Sequence, residues 1–258
     1  MTIERLSIEL TRACTKGCAF CYNASGPGGS GSWTVEGVVE FARDCADHGL
    51  QALSLGGGEP MEFAGLYAIL RALDGRIFRS LTTHGLHLDG ELQRLVDARP
   101  DKVHVSVHFP DREAELRRVL RQVLALGAAG IPSGVNLLVS ESTLLAARAA
   151  WLTLRAGGLS PGQILLLPRR GVDSPTPAQL ARVAGGERFQ SVTCLLACGP
   201  SPRFVSVDAA GDVGWCSYTT TRAPLLTRDH AGLLRALDGL GLRFCGGKLP
   251  LAPRAAAG

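Results

Sequence analysis

Three cysteines crowd into eight residues near the start of the chain, Cys14-Thr15-Lys16-Gly17-Cys18-Ala19-Phe20-Cys21, at the spacing C-x3-C-x2-C. Three thiolates on one short loop can hold three corners of a cubane iron–sulfur cluster. The fourth iron then has no protein ligand. A cluster that only carries electrons normally has four cysteines, so an open iron is a place for a small molecule to bind. A zinc knuckle and buried structural thiols are the competing readings. Zinc prefers four ligands, and no His or fourth Cys follows at knuckle spacing.

The surrounding pattern supplies a scaffold for that loop. Arg5 to Thr11 alternates, with Leu6, Ile8 and Leu10 on one face and Ser7, Glu9 and Thr11 on the other, which predicts a strand running into the cysteines. The Gly/Ser-rich stretch 24–32 reads as a flexible loop. Thr34 caps a predicted helix through His48. Strands are expected at 51–55, 77–83, 102–109, 133–140 and 163–167, and helices at 63–74, 88–98, 112–129, 143–156 and 177–183. Six strand–helix units in the first ~185 residues imply parallel strands with helical crossovers. The fold class is therefore α/β, a partial (β/α)6 TIM-like barrel with a small C-terminal β-hairpin and helix extension. Val103, Val105 and Val107 should face the helices, which turns His104, Ser106 and His108 to the lumen. In parallel α/β barrels the active site lies at the C-terminal ends of the strands. The cysteine loop, the turn Gly57-Gly58-Glu59-Pro60, His84, His108 and Asn136 all fall at or near such ends.

Composition narrows the classes. The chain has 258 residues, is 46% hydrophobic, carries a net charge of +4 and contains eight cysteines. The length suits one α/β barrel or one large domain with an appendage. Its arginines are scattered rather than clustered, so no nucleic-acid footprint is read. The start of the chain, Met1-Thr2-Ile3-Glu4-Arg5, shows neither a signal peptide nor a transmembrane span, so a cytoplasmic, reducing setting is expected, with cysteines as metal ligands rather than disulfides.

The cysteine spacing, with Phe20 before the last thiol, resembles the signature of the radical SAM (AdoMet radical) superfamily. The resemblance implies a [4Fe-4S] cluster on Cys14, Cys18 and Cys21 whose open iron chelates the amino and carboxylate groups of S-adenosylmethionine. Gly57-Gly58-Glu59-Pro60 matches the family's GGEP turn, where backbone carbonyls meet the methionyl ammonium. Thr82-Thr83-His84-Gly85 resembles the family's Thr-Asn-Gly turn, with His in place of Asn. Ser106 matches a serine that contacts SAM, Asn136 a ribose or carboxylate contact, and 165–168, with Leu167, the adenine wall. His108 occupies a lumen position that is often Asp in peptide-modifying relatives. Each of these polar residues is otherwise an ordinary satisfied group in a barrel.

The last quarter reads as a second unit. A hairpin is expected from 204–207 and 213–217 around Asp208-Ala209-Ala210-Gly211-Asp212. Cys198, twelve residues, Gly211, four residues and Cys216 fit the first half of the SPASM/Twitch pattern, whose domains hold an auxiliary iron–sulfur cluster. The dense cysteine run of the second half is missing, and only Cys245 follows. The resemblance thus implies a barrel over 1–190 and a truncated auxiliary-cluster domain over 191–258, with Cys198, Cys216, Cys245 and Cys194 as candidate ligands. Buried structural thiols are the alternative. Cys194 is either the fourth ligand or, if free, a hydrogen-atom donor to a substrate radical. Cys45 lies mid-helix, apart from both groups.

The chemistry so implied is reductive cleavage of SAM to a 5′-deoxyadenosyl radical, which abstracts hydrogen from a peptide or protein substrate. A small-molecule radical oxidase or epimerase is the alternative, and a non-catalytic iron–sulfur or zinc protein the second. A flavodoxin- or ferredoxin-type electron donor is expected. About four residues precede the first strand, so no fused leader-peptide-binding domain is expected, and a separate peptide-recognition protein would take its place. No nucleic-acid or membrane partner is expected.

Overall fold

The structure is a computed structural model, described here for residues 2–191, 201 and 203–242. Strands and helices alternate as β1 (Arg5–Glu9), α1 (Val35–Asp47), β2 (Ala52–Gly56), α2 (Leu66–Ala72), β3 (Phe78–Thr83), α3 (Leu88–Ala98), β4 (Lys102–Val107), α4 (Glu113–Ala128), β5 (Ser133–Val139), α5 (Leu144–Ala156), β6 (Ile164–Pro168) and α6 (Pro177–Ala184). Beyond them come β7 (Gln190–Ser191), β8 (Val205–Val207), β9 (Asp212–Gly214), β10 (Ala223–Pro224) and α7 (His230–Leu237). The α/β class and its six strand–helix units are as the sequence pattern predicts. No described helix is long and apolar enough to cross a membrane.

The chain forms two compact units. The first comprises the residues up to Val103, Ala129–Pro132 and the described residues of 199–243. Its strands lie in the order β10-β9-β8-β1-β2-β3. β1 pairs in parallel with β2, Ser7 beside Ser54 and Glu9 beside Gly56, and β2 with β3, Ser54 beside Ser80. Leu6, Ile8, Leu53, Leu55 and Leu81 are buried on one face of these strands. The other face carries Ser7, Glu9, Ser54, Gly56, Ser80 and Thr82, a row of small or polar residues that a strand's two-residue period puts on one side. Thr34 caps α1 by accepting from the Gly37 N–H at 3.0 Å, and Val38, Val39, Phe41, Ala42 and Cys45 form its buried stripe.

The second unit comprises His104–Ala128 and the described residues of 133–198. Here β5 pairs in parallel with β6 and β6 with β7, so Asn136 lies beside Leu165 and Leu138 beside Leu167. Val105 and Val107 are fully buried, while Ser106 alternates to the opposite side.

Two elements differ from the sequence reading. The helix expected over 63–74 is shorter, α2 at Leu66–Ala72, and a 3-10 turn, Pro60–Glu62, precedes it. Glu59 caps the start of the 3-10 turn by accepting from the Met61 N–H, and the extended backbone of Phe63 separates the turn from α2. The strand expected over 213–217 stops at Gly214. Arg222 donates to the carbonyls of Cys216 and Ser217 at 3.3 and 3.1 Å, so a side chain satisfies backbone groups that a strand partner would otherwise pair. The hairpin also joins the sheet of the first unit, with β8 parallel to β1.

Candidate functional site

The three-cysteine loop leaves β1 and is held from two sides. Across the loop Gly26 O accepts from the Cys14 N–H and the Gly26 N–H donates to Arg12 O, both at 3.0 Å. On the other side the turn after β2 is bonded to it, Gly58 N–H to Thr11 O at 2.7 Å and Glu59 N–H to Ala13 O at 2.8 Å. The two glycines make that approach possible. Gly57 has φ +119°, and a Cβ on Gly58 would sit 2.1 Å from Ala13 O. The backbone that the glycines admit is thus the chain's own loop.

None of the three loop cysteines is in a disulfide, and Cys14 is buried and Cys18 and Cys21 half-buried. Burial pushes the Cys14 thiol up, while the Gly17 and Lys16 N–H groups at its sulfur pull it back. Cys21 Sγ donates to Asn23 Oδ1 at 2.9 Å. Phe20 is half-buried on the same loop. Glu59 is fully buried and accepts from Met61 N–H, Thr83 Oγ1 and His84 N–H at 3.0, 2.8 and 2.8 Å. Burial raises its carboxyl above the usual range, against the pull of those donors. Its side chain therefore ties the turn after β2 to the end of β3. Pro60 and His84 are buried, whereas Thr82 is exposed on the small, polar face.

Several residues at the site were not singled out by sequence. Glu62 Oε1 accepts from the N–H and hydroxyl of Thr15 at 2.9 and 2.8 Å and lies 3.2 Å from His87 Nε2. Burial raises the Glu62 carboxyl, but these donors together hold it below the usual range. Glu9, almost fully buried, accepts from Tyr22 OH at 3.1 Å and Asn23 Nδ2 at 3.2 Å. Burial raises its carboxyl, with the Arg222 guanidinium pulling the other way. Buried Asp208 accepts from Arg12 at 3.3 Å, and the Trp33 indole donates to its carbonyl at 3.0 Å. The rings of Tyr22 and Tyr218 lie 4.9 Å apart. Cys216 is thereby brought to the cysteine-loop side of the first unit, two residues from Tyr218. The available signals were a carboxylate on the polar face of β1 and the three-residue spacings Glu59–Glu62 and His84–His87.

In the second unit Ser106 and Asn136 are buried, and His108 is half-buried with its N–H on Glu115 Oε1 at 2.8 Å. Asn136 Oδ1 is buried and accepts no hydrogen bond among the described residues. Leu165 and Leu167 are half-buried on the same side of their sheet. Cys194, Cys198 and Cys245 lie outside the described residues.

The family model for the radical SAM superfamily matches residues 8–136, half of the chain. The chain belongs to the radical SAM superfamily. It is 35% identical over 111 residues to a probable GTP 3′,8-cyclase of Methanocella arvoryzae, covering 43% of this chain and 36% of that one. It is 32% identical over 157 residues to a probable GTP 3′,8-cyclase of Halobacterium salinarum, covering 55% and 44%. The chain thus spans about two fifths of the length of these curated relatives. Among solved structures it resembles SuiB of Streptococcus suis bound to S-adenosylmethionine, with TM-score 0.72 at 14% identity over 93% of this chain and 67% of that one. It also resembles anSMEcpe with bound AdoMet, with TM-score 0.65 at 14% identity over 91% and 80%. At that identity the likeness is one of fold, the partial barrel of the radical SAM enzymes.

The radical SAM family implies a [4Fe-4S] cluster and S-adenosylmethionine, and the residues present fit both. Three cysteines outside any disulfide share one loop, and backbone N–H groups point at the Cys14 sulfur, a contact type that tunes cluster potentials. Asn136 Oδ1, without a partner among the described residues, is a buried acceptor of the kind that a ligand donor satisfies.

Proposed function

We propose that this radical SAM enzyme removes a hydrogen atom from a peptide or protein substrate in a post-translational modification. The observation that carries the reading is that the turn bearing Cys216 meets the first loop, with Tyr22, next to Cys21, and Tyr218, next but one to Cys216, 4.9 Å apart. When bound, the cluster with SAM supplies reductive cleavage to a 5′-deoxyadenosyl radical that takes hydrogen from an unactivated C–H bond. The chain's residues supply position and exclusion of water. Cys14, Cys18 and Cys21 would ligate the cluster. The backbone of Gly57, Gly58 and Pro60, kept in shape by the Glu59 carboxylate, would orient the methionyl end of SAM. Phe20, Thr82 and His84 would flank it. Ser106 and Asn136 would accept or donate at the sugar and carboxylate, Leu167 would cover the base, and His108 would meet the substrate. Residues 191–258 would form a truncated SPASM/Twitch-like domain in which Cys216, with Cys194, Cys198 and Cys245, holds an auxiliary cluster.

The second reading is a small-molecule substrate, favoured by the 35% and 32% identity to probable GTP 3′,8-cyclases. Deuterium transfer into 5′-deoxyadenosine separates them. We expect label from a deuterated candidate peptide and none from deuterated GTP. Label from GTP alone would reverse the assignment.

A further inference from the structure

We propose that Glu62, His84 and His87 form a site for one divalent ion of borderline softness, Zn2+ in its simplest form, outside the set of loop thiols. One carboxylate oxygen and two imidazole nitrogens converge there, all within 4.8 Å of one another. Glu62 Oε1 lies 3.2 Å from His87 Nε2 and 3.8 Å from His84 Nε2. Ligands about 2.0–2.1 Å from a tetrahedral zinc stand roughly 3.3 Å apart, so small side-chain shifts complete the set. Two His and one carboxylate with a position left open is a recurring donor set for such ions.

The surroundings are built as metal ligands require. Ligating histidines usually direct their other ring nitrogen at a carboxylate, and ligating carboxylates are themselves hydrogen-bonded. His84 Nδ1 lies 3.2 Å from Glu59 Oε2, and Glu62 Oε1 is held by the N–H and hydroxyl of Thr15. Without an ion, Nδ1 accepts from the Leu86 N–H at 3.1 Å. With an ion on Nε2, the ring proton sits on Nδ1 and faces Glu59. The three ligands stand on separate supports, the 3-10 turn after β2, the end of β3 and the residue that precedes α3. His84 is buried and Glu62 half-buried, while the His87 side chain is 38% exposed, which gives the ion an entry path and room for a water. A bound ion would cross-link the turn after β2 to the start of α3 and, through Thr15, stiffen the cysteine loop.

The test uses the full chain with its iron–sulfur content reconstituted anaerobically, equilibrated with Zn2+ and desalted. Zinc is counted by mass spectrometry and its ligands read by X-ray absorption at the zinc edge. We expect one zinc per chain with nitrogen and oxygen ligands at about 2.0–2.1 Å, including imidazole. His87→Gln and Glu62→Gln, each with unchanged iron content and thermal midpoint, should weaken zinc binding about tenfold or more. Absence of retained zinc, sulfur-only ligation at about 2.3 Å, or an unchanged affinity in either variant would overturn the proposal. Because iron content and zinc content are read separately, a failure here leaves the radical SAM assignment untouched.

Discussion

Glu59 accepts three hydrogen bonds while fully buried, so its loss strands donors rather than merely deleting an acceptor. A buried donor left unpaired costs about 1–3 kcal/mol. Glu59→Ala should therefore cost on the order of 2–4 kcal/mol in urea unfolding, with SAM affinity falling because the turn loses its shape. A variant as stable as the wild type would show that the donors find other partners. Asn136 makes the opposite case, since its Oδ1 is buried without a partner among the described residues. Replacing such a group by an apolar one of similar shape is nearly neutral or stabilising. Asn136→Leu should leave the thermal midpoint level or raised and weaken SAM binding several-fold in equilibrium dialysis. Unaltered SAM affinity would remove Asn136 from the ligand site. Both residues were visible in the sequence as types at strand ends. What sequence could not show is that the Glu59 side chain is spent on Thr83 and His84, because those partners are 24 and 25 residues away.

At the scale of elements, the alternation in 5–11 and 102–109 made the strands and their polar faces legible, since a two-residue period leaves little freedom. The C-terminal hairpin was legible from its Gly-containing turn, but not its pairing with β1, because a three-residue strand carries no signal of its neighbour. Helix α7 is the C-terminal helix extension that the sequence predicts without placing it. It packs on α1 through a stacked pair, His48 and His230, with centroids 4.5 Å apart. Burial lowers the His230 pKa, the His48 beside it lowers it further, and Asp44 and Asp229 pull it back. The native state therefore binds fewer protons than the unfolded chain. The stability this group contributes is present above the ordinary histidine value and is lost as pH falls through the lowered one. Amide protection in 230–237 should weaken between about pH 7.5 and pH 5, and His230→Phe should flatten that dependence. A profile identical in the variant would place the pH response elsewhere. The turn after β2 yields a second test. Gly58→Ala puts a Cβ against Ala13 O, and the backbone must move. Iron content after reconstitution should drop to less than half, and full loading in this variant would show that the loop tolerates the displacement.

Across the whole molecule, the three-thiol loop, the turn bonded to it and the strand faces beneath it point to one activity. The cysteine spacing made the chemistry legible because three ligands on one loop is a rare constraint. The substrate was not legible, because no residue spacing in the chain is tied to one substrate chemistry. The central claim is that Cys14, Cys18 and Cys21 together support reductive cleavage of SAM. The measurement is 5′-deoxyadenosine formed by the anaerobically reconstituted chain with a strong reductant. The account predicts product from the wild type and from Cys45→Ala, whose thiol is buried in α1 and pushed up to about 12 by burial. It predicts a loss of at least about 100-fold in Cys14→Ala, Cys18→Ala and Cys21→Ala, because an incompletely ligated cluster does not persist. Wild-type levels of 5′-deoxyadenosine from any of these three variants, or none from the iron-loaded wild type, would contradict it.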